Sequence, residues 1–191
     1  MRVTAPVCER CGSPGPWPTR RCAECAGRRL AFVRARAAIV YDERARAFVR
    51  VWKEHGRARL ASEAAGLVAE IVVRPDVELL VPVPGDPERA FARGRVAPSA
   101  LAEELGARWH IPAASALRRL RSLPRQRGLG LTDRRRNVRG SVGITGRRVP
   151  RAVCVVDDVY TSGATVDACA AVLRRAGARH VEVVTLARAV R

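Results

Sequence analysis

The stretch from residue 151 to residue 178 constrains the fold of this 191-residue chain more than any other. It opens with a valine-rich apolar run, residues 152–156, which is too short for a globular helix and is typical of a strand buried on both faces. After a polar turn, apolar residues recur at helical spacing up to Leu173, and Gly177 suits the end of such a helix. The stretch therefore predicts a strand, a turn and a helix, the unit from which parallel sheets are built.

The turn of this unit has the composition of a phosphate site. A turn that leads into a helix leaves backbone N–H groups aimed where a phosphate can sit, and small residues let a ligand approach them. The turn consists of Thr161, Ser162, Gly163, Ala164 and Thr165. An ordinary strand–helix turn with an N-terminal cap is the alternative, and it would explain Thr161 or Ser162 alone.

Two carboxylates precede the turn. Asp157 and Asp158 stand where the strand should end. Carboxylates repel phosphate, but they accept hydrogen bonds from the vicinal hydroxyls of a sugar and can approach a magnesium ion that the ligand carries. A phosphate turn beside such an acceptor implies a ribose 5-phosphate group. A nucleoside-triphosphate loop of the GxxxxGK[ST] type does not compete, because it requires a lysine and the only lysine is Lys53.

Residues 153–165, VCVVDDVYTSGAT, closely resemble the phosphoribosyl pyrophosphate (PRPP) signature of type I phosphoribosyltransferases. The resemblance implies that the chain binds PRPP together with magnesium. It also implies that residues 161–165 hold the 5-phosphate, and that Asp157 and Asp158 hold the ribose hydroxyls and take part in catalysis.

The first 30 residues contain two Cys-x-x-Cys pairs separated by ten residues, formed by Cys8, Cys11, Cys22 and Cys25. Two such pairs can present four thiolates to one zinc ion per chain, in a closed and therefore structural site. Two disulfides or a redox pair are the alternatives, but neither suits a cytoplasmic chain. We predict a zinc-binding module over residues 1–35 and a second domain over residues 36–191.

Beyond residue 36 the chain alternates predicted strands with predicted helices. Strands are predicted at residues 37–41, 77–81 and 181–186, and helices at residues 44–53, 60–73 and 97–105, the last of which ends at Gly106. Residues 111–117 fit neither class. The alternation favours an α/β domain with a mostly parallel sheet flanked by helices, like that of type I phosphoribosyltransferases. Ligands bind such sheets at the carboxyl ends of the strands, where the acidic pair falls.

Two further segments resemble the ComF family of competence-associated proteins. Residues 79–94, LLVPVPGDPERAFARG, resemble the VPVP…R…RG segment of that family, and residues 126–140 follow its Q-x-x-L…R-x-x-N-V-x-G pattern. The four-cysteine module is also a family trait, as is a tyrosine, Tyr41, ahead of a lysine-to-glycine step. The chain departs from the family at residues 93–97, where R-G-R-V-A stands in place of the usual R-G-F-N-Q. Because of this departure, the resemblance does not identify the substrate of this chain.

The resemblance also implies which residues contact pyrophosphate. In this fold the loop after an early strand holds the pyrophosphate, and Pro82, Val83 and Pro84 occupy the matching place. Arg93 is the implied catalytic cation, and Lys53 is a further candidate contact. In the alternative interpretation the prolines simply end a strand, Arg93 lies on a solvated helix face and Lys53 is retained by chance.

Residues 117–139 resemble the mobile loop that closes over the sugar in this fold. The loop residues singled out are Gln126, Arg127, Arg134 and Asn137. The loop lies in a basic stretch, residues 115–151, which contains twelve arginines and one acidic residue. Such a stretch suits a polyanionic partner, either pyrophosphate, a nucleotide or nucleic acid. An arginine-rich disordered loop is the alternative.

Composition and charge leave two classes of function. The net charge is +18, and no apolar run approaches the ~20 residues that span a bilayer, so we expect a cytoplasmic protein without a membrane partner. The first hypothesis is a phosphoribosyltransferase in which a nitrogen nucleophile displaces pyrophosphate from PRPP. The second is a non-catalytic accessory protein in DNA uptake, which binds single-stranded DNA or a competence-protein partner. The acceptor and the oligomeric state do not follow from the sequence.

Overall fold

A computed structural model describes residues 1–55, 58–85, 96–120, 140–146 and 148–190. Within these ranges the chain forms six strands and four helices. In chain order they are β1 (Arg34–Val40), α1 (Glu43–His55), α2 (Ala58–Ile71), β2 (Leu79–Pro82), α3 (Ala97–Trp109), β3 (Leu117–Arg119), β4 (Val142–Ile144), β5 (Ala152–Tyr160), α4 (Ala164–Arg175) and β6 (His180–Arg188).

The strands β1, β6, β5 and β2 form, in that order, a four-stranded parallel sheet. β5 lies inside the sheet, so that Val155 pairs with Val81 on one side and with Val183 on the other. β3 and β4 form a separate antiparallel pair. Because parallel neighbours need crossover connections, this topology follows from the alternation of strands and helices in the sequence.

Helices cover both faces of the sheet. From residue 153 to residue 156 the side chains of β5 alternate between the two faces, so Val153 and Val155 share an apolar cluster with residues of α4, whereas Cys154 and Val156 share one with α1, α2 and α3. All four side chains are completely buried. Burial of a valine side chain stabilises a fold by about 1.5–3 kcal/mol, which makes this short run a centre of the core. The predicted fold class, a mostly parallel sheet flanked by helices with a four-cysteine module at the N-terminus, is confirmed.

The N-terminal module packs on the same face of the sheet as α4. Cys8, Cys11, Cys25 and Phe32 belong to the apolar cluster that contains Val153. β1 begins at residue 34, just before the predicted end of the module. The division of the chain between residues 35 and 36 stays a prediction.

The predicted end of β5 is wrong. The strand continues past residue 156 to Tyr160, so Asp157 and Asp158 lie within the strand and not after it. The physical reason is that β6 runs alongside over the same length, and the ladder continues with Asp157 beside Thr185.

The predicted end of α3 is also wrong. The helix continues through Gly106 to Trp109 and ends at His110, whose φ of 53° is left-handed. Gly106 serves packing instead of helix termination, because a Cβ atom there would lie 2.7 Å from the carbonyl oxygen of Ile111. By contrast, Gly177 follows α4 with a φ of +113°, as predicted.

The other predicted elements are present, with ends that differ by at most three residues. In the segment that fitted neither class, Ala113 forms a bridge with Leu80, and residue 117 starts β3. The predicted mobile loop, residues 117–139, is therefore wrong at its beginning, because residues 117–119 form β3 and pair with β4. Among the described helices, none has both the length and the apolar composition needed to cross a bilayer.

Candidate functional site

The acidic pair lies near the carboxyl end of β5, with its two side chains on opposite faces of the sheet. By the alternation of the strand, Asp157 shares the face of Val155 and α4, and Asp158 shares the face of Val156 and α1. Both residues are buried, with exposed fractions of 8% and 4%. The backbone N–H of Asp158 donates a hydrogen bond to Oδ1 of Asp157 at 2.9 Å. The pair can accept hydrogen bonds from a ligand at this end of the sheet.

Lys53 reaches the acidic pair from the last turn of α1. Its Nζ forms an ion pair with Oδ2 of Asp158, and 47% of its side chain stays exposed. Burial by itself would lower the pKa of Lys53, but the charge and hydrogen bond of Asp158, together with the charge of Asp157, raise the pKa above its usual value. The predicted pyrophosphate contact of Lys53 stays a prediction. The ion pair is a feature that the sequence did not suggest.

Asp157 is in a less favourable electrostatic environment. Burial and then the charge of Asp158 raise the pKa of Asp157 well above the usual value of an aspartate, although Lys53 acts in the opposite direction. Two adjacent buried acids therefore share one nearby ammonium group. A divalent cation or hydroxyl donors that arrive with a ligand would stabilise their charged forms.

Gly163 determines the shape of the turn between β5 and α4. Its φ of +71° lies in the left-handed region, where residues with a side chain are strained. A Cβ atom at this position would lie 2.2 Å from the hydroxyl oxygen of Tyr160. Only glycine therefore fits between this tyrosine and the space in front of α4.

The hydroxyl residues of the turn surround the N-terminus of α4. Oγ of Ser162 accepts a hydrogen bond from the backbone N–H of Ala164 at 3.3 Å. Thr161 at the start of the turn and Thr165 in the first turn of α4 are partly exposed. The residue before α4 is a glycine and provides no side-chain cap. The arrangement is compatible with an anion at the start of the helix.

The predicted pyrophosphate loop lies on the neighbouring strand. Pro82 is the last residue of β2 and pairs with Val156, the residue before the acidic pair. The backbone N–H of Val83 donates to the carbonyl oxygen of Val156 at 2.9 Å. The carbonyl oxygen of Pro84 accepts a hydrogen bond from Nη2 of Arg119 at 3.0 Å. The structure thus brings residues 82–84 and the acidic pair to the same end of the sheet.

Five of the predicted site residues lie outside the described residues. These are the implied catalytic cation and the four positions of the predicted mobile loop, namely Arg93, Gln126, Arg127, Arg134 and Asn137. Their roles stay predictions.

The four predicted metal ligands come together in one cluster. The Sγ atoms of Cys8, Cys11, Cys22 and Cys25 all lie within 4.8 Å of one another. Three of the separations are 3.4 Å for Cys11 to Cys22, 3.6 Å for Cys8 to Cys25 and 3.9 Å for Cys22 to Cys25. Tetrahedral zinc with Zn–S bonds of about 2.3 Å places its sulfurs roughly 3.8 Å apart. The donor set therefore fits one zinc ion, and all six cysteines of the chain are free thiols.

The thiols of the cluster differ in how readily they ionise. Burial opposes ionisation of Cys8, but backbone hydrogen bonds from Cys11, Cys22 and Arg10 lower its pKa to about 7. Burial raises the pKa of Cys25 to about 11 and raises the pKa of Cys11 further. A metal ion would provide the free energy that keeps all four thiols ionised.

Sequence reasoning missed several residues that support the site. Arg119 holds the carbonyl group of Pro84, and Nη1 of Arg28 donates to the carbonyl oxygen of Ser162 at 3.2 Å. Arg188 is buried beside the cysteine cluster. In a chain whose 36 basic residues include one lysine, no sequence signal distinguishes these arginines from the others.

The chain is similar in sequence to proteins named for competence and for DNA utilization. It is 34% identical to competence protein F of Haemophilus influenzae over 116 residues, which cover 59% of this chain and 51% of that protein. It is 27% identical to the DNA utilization protein YhgH of Salmonella typhi over a 199-residue alignment, which covers 98% of this chain and 86% of that protein. The chain thus spans about half the length of the first relative and most of the second. No protein-family model matches the chain.

Among solved structures, the glutamine PRPP amidotransferase of B. subtilis, in complex with ADP and GMP, aligns with 65% of this chain. The TM-score is 0.46 and the sequence identity is 21%. The aligned part makes up 26% of the amidotransferase chain.

Proposed function

We propose that this chain, which belongs to the ComF family, binds PRPP with magnesium and transfers its 5-phosphoribosyl group to a nitrogen nucleophile. In this reaction the bond between ribose C1 and the pyrophosphate breaks and a C1–N bond forms. Pyrophosphate leaves, and the proton of the nucleophile passes to solvent. The observation that carries the proposal is the position of two buried carboxylates, Asp157 and Asp158, near the end of the strand that leads into the turn at residues 161–165. Acids beside a phosphate are unfavourable unless a sugar or a metal ion lies between them.

Each part of PRPP has a matching group at this end of the sheet. The start of α4 and the hydroxyls of residues 161–165 suit the 5-phosphate, and the acidic pair suits the vicinal ribose hydroxyls. The loop at residues 82–84 lies one strand away and suits the pyrophosphate. Lys53 provides a cation at the same end of the sheet. Its ammonium group would leave Asp158 and pair with the departing pyrophosphate. Arg93 and the predicted loop contacts would add further positive charge.

Magnesium, when bound with PRPP, would neutralise part of the pyrophosphate charge. Asp157 and Asp158 fit such an ion, because magnesium commonly binds one or two carboxylates together with substrate phosphates. The repulsion that raises the pKa of Asp157 is also relieved by a divalent cation. The remaining catalysis rests on orientation of the sugar and on stabilisation of the leaving-group charge by the chain's own cations.

Two measurements test this function. Calorimetric titration with PRPP, with and without magnesium, measures the binding step, and pyrophosphate release in the presence of nucleobases measures transfer. We expect binding that requires magnesium, and release with at least one base. Absence of PRPP binding would contradict the proposal. Binding without release for any base tested would favour an accessory role.

A second function, DNA processing without turnover, is supported by the surface of the cysteine module. Trp17 is 76% exposed, and Arg10, Arg20 and Arg21 line a cavity of about 600 Å³ in the same module. An exposed aromatic ring can stack on a base while arginines bind the backbone. Fluorescence anisotropy with single-stranded DNA tests this function. Binding should weaken as salt increases, and Trp17→Ala should weaken it by about tenfold.

The accessory role leaves a competence-protein partner as the other candidate ligand. If the partner is a protein and not DNA, the fluorescence anisotropy of the oligonucleotide should not change when this chain is added, at any salt concentration. A cytoplasmic location and the absence of a membrane partner remain part of both proposals.

A further inference from the structure

Arg188 is buried between the four-cysteine cluster and the acidic end of the sheet. It is the last residue of β6, and 1% of its side chain is exposed. Nη1 donates to the carbonyl oxygen of Cys11 at 2.6 Å, and Nη2 donates to Oε2 of Glu24 at 2.6 Å. Nη2 also lies 3.6 Å from Sγ of Cys11. Cys11 belongs to the first Cys-x-x-Cys pair and Glu24 lies within the second, so one guanidinium group fixes both pairs to the sheet.

The same guanidinium group contacts Tyr160, the last residue of β5. Tyr160 and Arg188 are partners in the β5–β6 ladder. Cζ of Arg188 lies 4.5 Å from the centroid of the tyrosine ring, a cation–π contact. Phe32, which follows the four cysteines within the N-terminal module, packs edge-on against the ring at a centroid distance of 6.5 Å. The ring is therefore held by the sheet and by the N-terminal segment together.

Tyr160 in turn supports the phosphate turn. Its hydroxyl oxygen lies 2.2 Å from the position that a Cβ atom of residue 163 would take, so the ring fills the space beside Gly163. Two hydrogen bonds join the module to the same region. Arg28 donates to the carbonyl oxygen of Ser162 at 3.2 Å, and the N–H of Ala31 donates to Oδ1 of Asp167 at 2.7 Å. The cysteine module thus contacts both the turn, at Ser162, and the first turn of α4, at Asp167.

We infer that Arg188 is a positioning residue that couples metal occupancy of the four-cysteine cluster to the conformation of residues 161–165, so that zinc and PRPP each bind more tightly when the other is bound. Zinc with four thiolates carries net negative charge, and the guanidinium beside one sulfur is attracted to it. Loss of the metal would release Cys11 and Glu24 from the positions that hold Arg188. Coupling between two binding sites is reciprocal. The PRPP part of the inference rests on the proposed function, whereas the effect on the turn does not.

The first test uses the zinc-loaded 191-residue chain and its variant Arg188→Lys, which keeps the charge but loses the planar fork. Hydrogen exchange is measured in peptides that cover residues 160–166. We expect exchange about tenfold faster than in the wild type, within the usual range of coupling between sites. Arg34→Lys is the matched control, because Arg34 pairs with Glu182 at the opposite end of the same sheet. Unchanged exchange of the turn in Arg188→Lys would overturn the inference.

The second test measures the rate at which zinc passes from the protein to a chelator, with and without PRPP and magnesium. PRPP should slow the transfer by about tenfold in the wild type and have little effect in Arg188→Lys. If the wild type binds PRPP and its zinc release does not change, the coupling is contradicted. If the wild type does not bind PRPP, the proposed function fails, and the exchange of residues 160–166 still decides whether the cluster supports the turn.

Discussion

Asp157 and Asp158 are adjacent in sequence but have different neighbours. Asp158 pairs with Lys53 of α1. Asp157 faces α4, the helix that carries Cys169. Burial of the Cys169 thiol, and to a smaller extent the charge of Asp157, raise the pKa of Cys169 to about 12. A ligand at the carboxyl end of β5 would contact both acids, but their contributions to the stability of the unliganded protein should differ.

Replacement of both acids by asparagine separates a sugar site from a generic phosphate site. If the carboxylates hold ribose hydroxyls, Asp157→Asn/Asp158→Asn loses charged hydrogen bonds of about 1.5–3 kcal/mol each, and PRPP affinity falls by roughly tenfold or more. Calorimetry with inorganic phosphate, which has no diol, is the control and should show equal or tighter binding. Tighter PRPP binding by the double variant would contradict the proposed site.

Asp157→Asn alone should stabilise the unliganded protein at neutral pH. Because the pKa of Asp157 is higher in the folded than in the unfolded state, the wild type loses stability as pH rises from about 4 through the folded-state pKa. The variant lacks this loss and keeps the hydrogen bond from the N–H of Asp158. Urea unfolding without PRPP and magnesium, from pH 4 to pH 8, measures the difference. If the difference in the free energy of unfolding between variant and wild type becomes smaller as pH increases, the prediction is contradicted.

At the scale of elements, local patterns in the sequence were sufficient where a segment determines its own structure. The strand–turn–helix unit and the glycine after α4 were predicted from one stretch of the chain. The extension of β5 depends on its partner β6, which the local pattern does not reveal. A glycine near a helix end is compatible with both termination and close packing, and at Gly106 the structure shows close packing against the carbonyl oxygen of Ile111. The ion pair of Lys53 with Asp158 and the hydrogen bond of Arg188 with Cys11 connect residues that are far apart in sequence. A single sequence contains no pattern that predicts such contacts.

Gly163→Ala should disturb the turn more than its backbone angle alone requires. A left-handed φ costs a residue with a side chain about 1–2 kcal/mol, and here the added Cβ would also displace Tyr160. We expect a loss in the free energy of unfolding of about 2–4 kcal/mol in total, together with weaker PRPP binding.

Gly140→Ala is the matched control for the backbone angle. Gly140 has a φ of +69°, and among the described residues a Cβ there would have no neighbour within 4 Å. Denaturant unfolding of both variants separates the two effects. Equal losses would mean that the contact with Tyr160 does not constrain the turn.

At the scale of the whole molecule, the cysteine module and the sheet share one apolar cluster, so loss of the metal should affect more than the first 30 residues. Metal analysis should find one zinc ion per chain. Cys22→Ser should lose the metal and lower the melting temperature, because a structural zinc site contributes folding free energy directly. Cys169→Ala is the control, since that thiol lies outside the cluster and its removal should leave the zinc content unchanged. Full zinc content in Cys22→Ser would contradict the assignment of the ligands.

The alternation of side chains along β5 limits how this sequence can change over evolutionary time. An insertion or deletion of one residue between positions 152 and 156 would turn each carboxylate toward the face that the other now occupies. Asp157, which now faces α4, would then face Lys53, and Asp158 would face α4. The turn would also start from the opposite side of the sheet. Exchange of one aliphatic residue for another in the same run would leave both acids in place. We therefore expect exchanges of one aliphatic residue for another in this run to be tolerated better than changes in its length.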